Sequence, residues 1–156
     1  MIRAAAMLVG LACLVGPATA QDQPKVEFTE HKGHFERNDS GLKGPTSFLL
    51  FTDKAAFDKI FGTTPPLMKE AGINRLPAGT FEKGCVVAVI TRADAITQYS
   101  DVKATAKGTT LTVSYKSKTG PAGSAKFASP LILALPKEKY KEVVFVEDGK
   151  EVGTAK

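Results

Sequence analysis

The side chains in this sequence that could carry chemistry are few. Its only two histidines, His31 and His34, stand in Glu30-His31-Lys32-Gly33-His34-Phe35-Glu36, an H-x-x-H with carboxylates on both sides. Zinc uses these residue types, but three or four ligands must converge, and no later His or Cys pair supplies the rest. On one extended strand, side chains three residues apart face opposite sides of the chain. The pair therefore reads as exposed loop histidines, with no metal. Cys85 follows Gly84 and opens Val86-Val87-Ala88-Val89-Ile90, the setting of a buried, inert thiol rather than of an activated nucleophile. No Gly-x-Ser-x-Gly elbow and no glycine-rich phosphate loop is present. Glu27, Glu30, Glu36 and Asp39 are close in sequence only, as in a hydrophilic loop, whereas glycosidic chemistry needs two carboxyl groups across a cleft. The sequence thus assigns no catalytic residue, no cofactor and no metal ligand. One chemical alternative stays open: a small extracytoplasmic hydrolase, or a ligand- or metal-binding protein, using the His31/His34 loop or Cys85.

Lysine offers a different kind of site. The formal net charge is +5 over 156 residues, and its distribution is uneven. Residues 21–102 carry ten Lys/Arg against eleven Asp/Glu, whereas residues 103–141 carry eight lysines against Glu138 alone. Val102, Ala104 and Ala106 alternate with Lys103 and Lys107, while Leu111, Val113 and Tyr115 alternate with Lys116 and Lys118. With the apolar members facing a core, Lys103, Lys107, Lys116 and Lys118 share the opposite face of a sheet. Such a face attracts an acidic protein or an anionic polymer or surface; the same lysines also keep a solvated sheet from pairing edge to edge. Nucleic acid is not expected as a partner, because the chain reads as exported and the basic stretch is built of lysine without the planar arginine fork.

The elements that must position these residues are mostly strands. Val26 and Phe28 alternate with polar neighbours as a first strand, and Gly33, the run from Asn38 to Gly41, and Gly44-Pro45 read as loops. Ser47 to Phe51 is a strand-length apolar run. Ala56, Phe57, Ile60 and Phe61 repeat at helical spacing after a Thr52 cap, with Gly62 as the stop. A further helical turn or two is read from Pro65-Pro66 to Gly72. Cys85 to Thr91 is apolar on both faces and so predicts a central strand. Gly108 predicts one hairpin and Asp148-Gly149 another. Pro130 and Pro136 bound a strand over Leu131 to Leu135. The expected fold class is α+β: a single domain, mainly antiparallel sheet of about seven strands, with one or two short helices.

The first twenty residues predict where the protein works. Arg3 precedes the apolar run from Ala4 to Val15, and Pro17-Ala18-Thr19-Ala20 ends on small residues at the two positions a signal peptidase reads. The run is too short to span a bilayer. The expectation is a signal peptide over residues 1–20 cleaved after Ala20, a linker over 21–24 and one globular domain over 25–156, in the periplasm or secreted, with no transmembrane segment. Removing 20 residues from 156 leaves 136, enough to bury a core without staples. Cys13 leaves with the signal, so Cys85 has no partner for an intramolecular disulfide. Lipidation at Cys13 is disfavoured because Gly10 and Leu11 stand in the wrong order for a lipoprotein signal and the apolar run continues past the cysteine.

From about Ser47 to Glu147 the chain resembles the C-terminal domain of PrcB-type proteins, bacterial envelope partners of a secreted protease complex. The resemblance is carried by Ser47-Phe48-Leu49-Leu50-Phe51 before a short helix, and by Gly84-Cys85-Val86-Val87-Ala88-Val89. It continues through Tyr99 with the Lys103–Ala106 strand and through Leu111-Thr112-Val113-Ser114-Tyr115. Ser129-Pro130-Leu131-Ile132-Leu133-Ala134-Leu135-Pro136-Lys137 and Val143-Val144-Phe145 complete it. Ala95-Ile96-Thr97-Gln98 stands where that family has a glycine-rich turn. The resemblance implies a non-catalytic protein-binding domain with no catalytic residues to carry over. The leading expectation is therefore an exported protein-interaction module whose partner is an envelope or secreted protein such as a protease.

Overall fold

A strand that is apolar at every successive position can be satisfied only as a middle layer, with packing on both of its faces. The stretch from Cys85 to Ile90 has that character, and all six residues are buried. A computed structural model describes residues 23–64, 73–136 and 140–156; the signal segment and the helical turn read over Pro65–Gly72 lie outside the described residues. The elements in chain order are β1 (Thr29–His31), β2 (His34–Glu36), β3 (Thr46–Phe51), α1 (Lys54–Ile60), β4 (Phe61–Thr63) and α2 (Thr80–Lys83). They continue with β5 (Gly84–Ala93), β6 (Thr97–Lys107), β7 (Thr110–Thr119), β8 (Phe127–Pro136), β9 (Glu142–Glu147) and β10 (Lys150–Ala155).

One sheet has the order β1-β8-β5-β3, a second the order β10-β9-β7-β6, and β2 pairs with β4 in a third. Cys85, Val87 and Val89 of β5 join Leu131 and Leu133 of β8 against Leu111, Val113, Val143 and Phe145 of the second sheet. Val86, Ala88 and Ile90 point the other way, with Ile132, onto Phe51, Phe57, Ile60 and Phe61. The rings of Phe57 and Phe61 lie 4.8 Å apart, and those of Phe51 and Phe57 meet edge-on at 5.4 Å. Three layers result, with β5 and β8 in the middle one.

The architecture is mostly antiparallel, as expected, with one exception. β7 and β9 pair in parallel, because the chain crosses to the other sheet as β8 between them and returns in the original direction. The strand count exceeds the expected seven through three-residue pieces: β1, β2 and β4. The expected strand at Val26 and Phe28 is displaced. Lys25 bridges Thr105 and the Val26 amide donates to the Ala104 carbonyl at 2.9 Å, so this stretch lines the edge of β6 before β1 joins β8. Pro130 does not bound β8 but lies inside it. Its missing N–H is tolerated because β1 reaches only as far as Ile132, which leaves β8 paired on one side at Pro130. The cap of α1 is Asp53, whose carboxylate accepts from the Ala56 amide at 2.8 Å, one residue later than the sequence reading. Asp148 and Gly149 both have positive φ, 48° and 81°, as the two-residue turn joining β9 to β10 requires.

At the start of β5 the backbone of β8 comes close. A Cβ on Gly84 would lie 2.2 Å from the Leu135 carbonyl oxygen, and backbone in a paired strand cannot swing aside. Gly84→Ala is expected to cost about 2–3 kcal/mol in a denaturant titration, more than an exposed Gly41→Ala. Equal midpoints for the two variants would contradict this close approach.

Candidate functional site

The two histidines are not exposed loop residues. Gly33, at φ 89°, ends β1 and redirects the chain into β2, so the rings do not diverge as they would on one continuous strand. Both meet the segment 73–76. His31 is 5% exposed, and its Nδ1 donates to the Asn74 carbonyl at 3.0 Å. His34 accepts the Leu76 amide proton on Nε2 at 3.1 Å and lies edge-on to Phe57 at 5.3 Å. An accepting Nε2 puts the ring proton on the buried Nδ1. Burial, followed by the nearby His31 and Arg75, lowers the His34 pKa; the Gly62 carbonyl and Asp58 act in the opposite direction.

His34 opens on a cavity of about 550 Å³ whose other walls include Phe57, Leu76 and Phe81, with Asp53, Asp58 and Glu82 at the rim. Asp53 caps α1, and Asp58 pairs with Lys54. Cys85 is elsewhere. It is 6% exposed and belongs to the core between the two large sheets, whereas the histidines and this cavity lie on the other face of the β5 sheet. A Cys85–His pair is therefore not formed. Among the described residues no three His, Cys, Asp or Glu side chains gather at metal-binding distances.

The enclosed ion pair of Arg92 with Glu36 is structural. Arg92 donates from Nε and Nη2 to the two oxygens of Glu36, both at 2.7 Å, and from Nη1 to Ser47 Oγ at 3.0 Å and the Gly44 carbonyl at 3.1 Å. Ser40 adds a hydroxyl to Glu36 at 2.8 Å. Burial works to raise the Glu36 pKa, but the hydrogen bonds from Arg92 and Ser40 and the guanidinium charge outweigh it and hold the carboxyl below its ordinary value. This cluster fastens β2 to β3 and β5 across the loop between them. Tyr99 and Tyr115 pack edge-on at 5.6 Å, and burial pushes both phenols up. The Tyr99 hydroxyl donates to the Ser129 carbonyl at 2.8 Å, so this pair too serves packing.

The four lysines do lie on one face of the second sheet, all exposed. Lys103 stands opposite Ser114 and Lys107 opposite Thr110, while Lys116 and Lys118 stand opposite Ser100 and Gln98. The paired rows from Thr110 to Lys118 span about 26 Å, so the charges form a ladder and not a patch. Lys116 is already matched by Asp101 at 2.8 Å, in the bulge that interrupts the β6–β7 register.

Lys118 stands at the end of that ladder, beside a feature the sequence does not announce. Phe35, Ile96 and Phe127 are 47%, 59% and 40% exposed, and Val152 is the only other large hydrophobic side chain as exposed among the described residues. Phe127 is the shared wall of two shallow grooves. One, about 380 Å³, also takes in Ile96, Lys118 and Pro121; the other, about 420 Å³, takes in Phe35, Arg37 and Lys126. Phe35 has a structural duty on one side, because a Cβ on its cross-strand partner Gly62 would fall 2.6 Å from the ring. The only signal for it in the sequence is an aromatic between His34 and Glu36, where alternation turns it away from both.

Two outcomes follow from these placements. Cys85 should react with a water-soluble thiol reagent only at the rate of unfolding, rising steeply with denaturant; prompt labelling of the folded protein would place the thiol outside the core. Arg92→Leu should cost about 2 kcal/mol, a buried-pair loss reduced for partial exposure. Glu36 stabilises above its ordinary pKa, and its contribution fades as pH falls through the lower folded value. Without Arg92 that acid-side loss should begin at higher pH, as a pH series of melting curves would read.

No family model, curated protein or solved structure matches this chain.

Proposed function

We propose that the protein is an exported, non-enzymatic interaction module that binds another envelope or secreted protein. Its PrcB-type resemblance makes a secreted protease the first partner to test. The observation that carries this reading is the exposed Phe127, which lines two grooves, one with the exposed Ile96 and the other with the exposed Phe35. Exposed aromatic and branched apolar side chains gathered in one place mark a contact surface, and a few such anchors supply most of the binding free energy. Lys118 at the edge of this surface, with the remaining lysine ladder behind it, favours a partner that presents an apolar side chain flanked by carboxylates. Complementary charge there speeds encounter more than it tightens the complex.

Binding to an anionic polymer along Lys103, Lys107, Lys116 and Lys118 is the weaker reading. The charges are strung out, and Lys116 is already paired with Asp101. The hydrolase alternative has lost its cysteine–histidine arrangement, since the sheet stands between those groups. Salt separates the two binding readings. Ladder binding should weaken steeply between low and physiological ionic strength, whereas an interface anchored on apolar side chains should not.

The test is cross-linking in the native envelope, followed by measured affinity for the captured protein. Phe127→Ala is expected to weaken binding about tenfold or more, and Lys118→Glu chiefly to slow association. Lys107→Glu, at the far end of the ladder, should change little. Undiminished affinity in Phe127→Ala with intact folding would remove this surface as the interface.

A further inference from the structure

The segment that carries Asn74 and Leu76 is held to the rest of the fold at two places of different kind. At Asn74 the contacts survive any change in histidine charge. Its carbonyl accepts from the Lys32 amide at 2.9 Å and from His31 Nδ1 at 3.0 Å, and its side-chain amide donates to the Glu30 carbonyl at 3.1 Å. A protonated His31 would still donate from Nδ1. At Leu76 the backbone amide instead donates to His34 Nε2 at 3.1 Å, and that bond needs the ring nitrogen's lone pair. Adding a proton there turns an acceptor into a donor facing another donor.

We infer that His34 is an acid-sensitive catch: when its ring takes up a proton, the Leu76 side of the 73–78 strap lets go of β2 and the cavity behind it opens, while the two large sheets stay folded. The surroundings favour this outcome. Arg75 on the strap and His31 on β1 bring positive charge to the same place, against which Asp58 of α1 and the Gly62 carbonyl of β4 draw a proton toward the ring. Asp53, Lys54 and Glu82 complete the charged rim. Leu76, Pro77 and Ala78 form one wall of the cavity, and Leu76, like Phe81, packs against the core that contains Phe57. Moving that wall widens access to apolar surface without disturbing the inter-sheet core, to which it contributes nothing. The sign is fixed by linkage. A neutral, buried histidine with a lowered pKa keeps the catch closed above about 6.5, and the contact is lost as pH falls below that value through the folded-state pKa. This device stands apart from the proposed interaction surface and does not depend on it.

Amide hydrogen exchange followed by NMR on the 15N-labelled protein tests it. After correction for intrinsic exchange, protection at Leu76 should drop about tenfold or more between pH 7.5 and 5.0, while Val87 and Leu133 in the central strands keep theirs. His34→Gln, whose side-chain carbonyl can still accept but cannot titrate, should abolish the drop, and His31→Gln should retain it. Constant Leu76 protection would overturn the inference. So would parallel loss at Val87 and Leu133, which marks global unfolding, or persistence of the drop in His34→Gln. Should that variant fail to fold, the ring 15N shifts of the unmodified protein decide. Nε2 must be unprotonated at pH 7.5 and gain its proton over the same range in which Leu76 loses protection; a protonated Nε2 at pH 7.5, or a mismatch of the two transitions, would sink the inference.

Discussion

Everything in this molecule is arranged around the ten-residue antiparallel pairing of β5 with β8, from Gly84 opposite Pro136 to Ala93 opposite Phe127. The constraint is that successive side chains of β5 must satisfy two different cores. Cys85, Val87 and Val89 need a flat partner sheet, and β7 and β9 provide it with Leu111, Val113, Val143 and Phe145. Val86, Ala88 and Ile90 need a second cover, which α1, β4 and the neighbouring loops provide with phenylalanine rings. A slip of one residue would exchange the two sets and place each against the wrong surface. Because both faces of β5 are apolar, volume protects the pairing from such a slip, since Gly84 admits no side chain against Leu135.

That two-faced strand also segregates the chemistry. Consecutive residues of β5 end up on opposite sides of a closed sheet, so the one cysteine of the described residues belongs to the sheet–sheet core while the histidines belong to the helical side. A cysteine–histidine site would need both on one face. The ionisable groups that do converge, Glu36 with Arg92, are mutually satisfied and fasten loops.

The parts legible in the sequence were those set by local alternation and by turn residues. Lys103 to Lys107 and Thr110 to Lys118 reveal their inner and outer faces by period two, and Asp148-Gly149 marks its hairpin because few residues tolerate two positive φ values in succession. The both-faces apolar run of β5 likewise marks it as central. What was hidden depended on distant partners. The short β1, β2 and β4 carry too few residues for a periodic signal; β1 exists because β8 offers it an edge, and β2 and β4 exist by pairing with each other. Pro130 read as a boundary because a proline inside a strand is tolerated only where one side lacks a partner, and that is a property of β1's length. The histidines read as loop residues because nothing near them in sequence predicts Asn74 and Leu76, more than forty residues away. Phe127 was hidden for a related reason. Its place in the alternation of β8 aims it at the inter-sheet side, and only the end of the layer leaves it uncovered.

β2 shows how closely these roles are joined. Of its three residues, His34 holds the strap, Phe35 covers Gly62 and reaches the surface groove, and Glu36 takes the Arg92 guanidinium. It pairs only with β4, and a two-stranded ribbon of three residues has little stability of its own. Its position is therefore set by its side chains, through one anchor at each end. The Arg92 anchor is a charge pair that strengthens as Glu36 ionises, and Arg92 and Ser40 hold that carboxyl below its ordinary value, whereas the His34 anchor weakens as the ring takes up a proton. Release of the strap thus leaves β2 tied at Glu36 and loosened at His34, with Phe35 between them. The same three residues connect an acid-sensitive contact on one side of the ribbon to an exposed aromatic on the other, and the alternation of a single short strand is enough to make that connection.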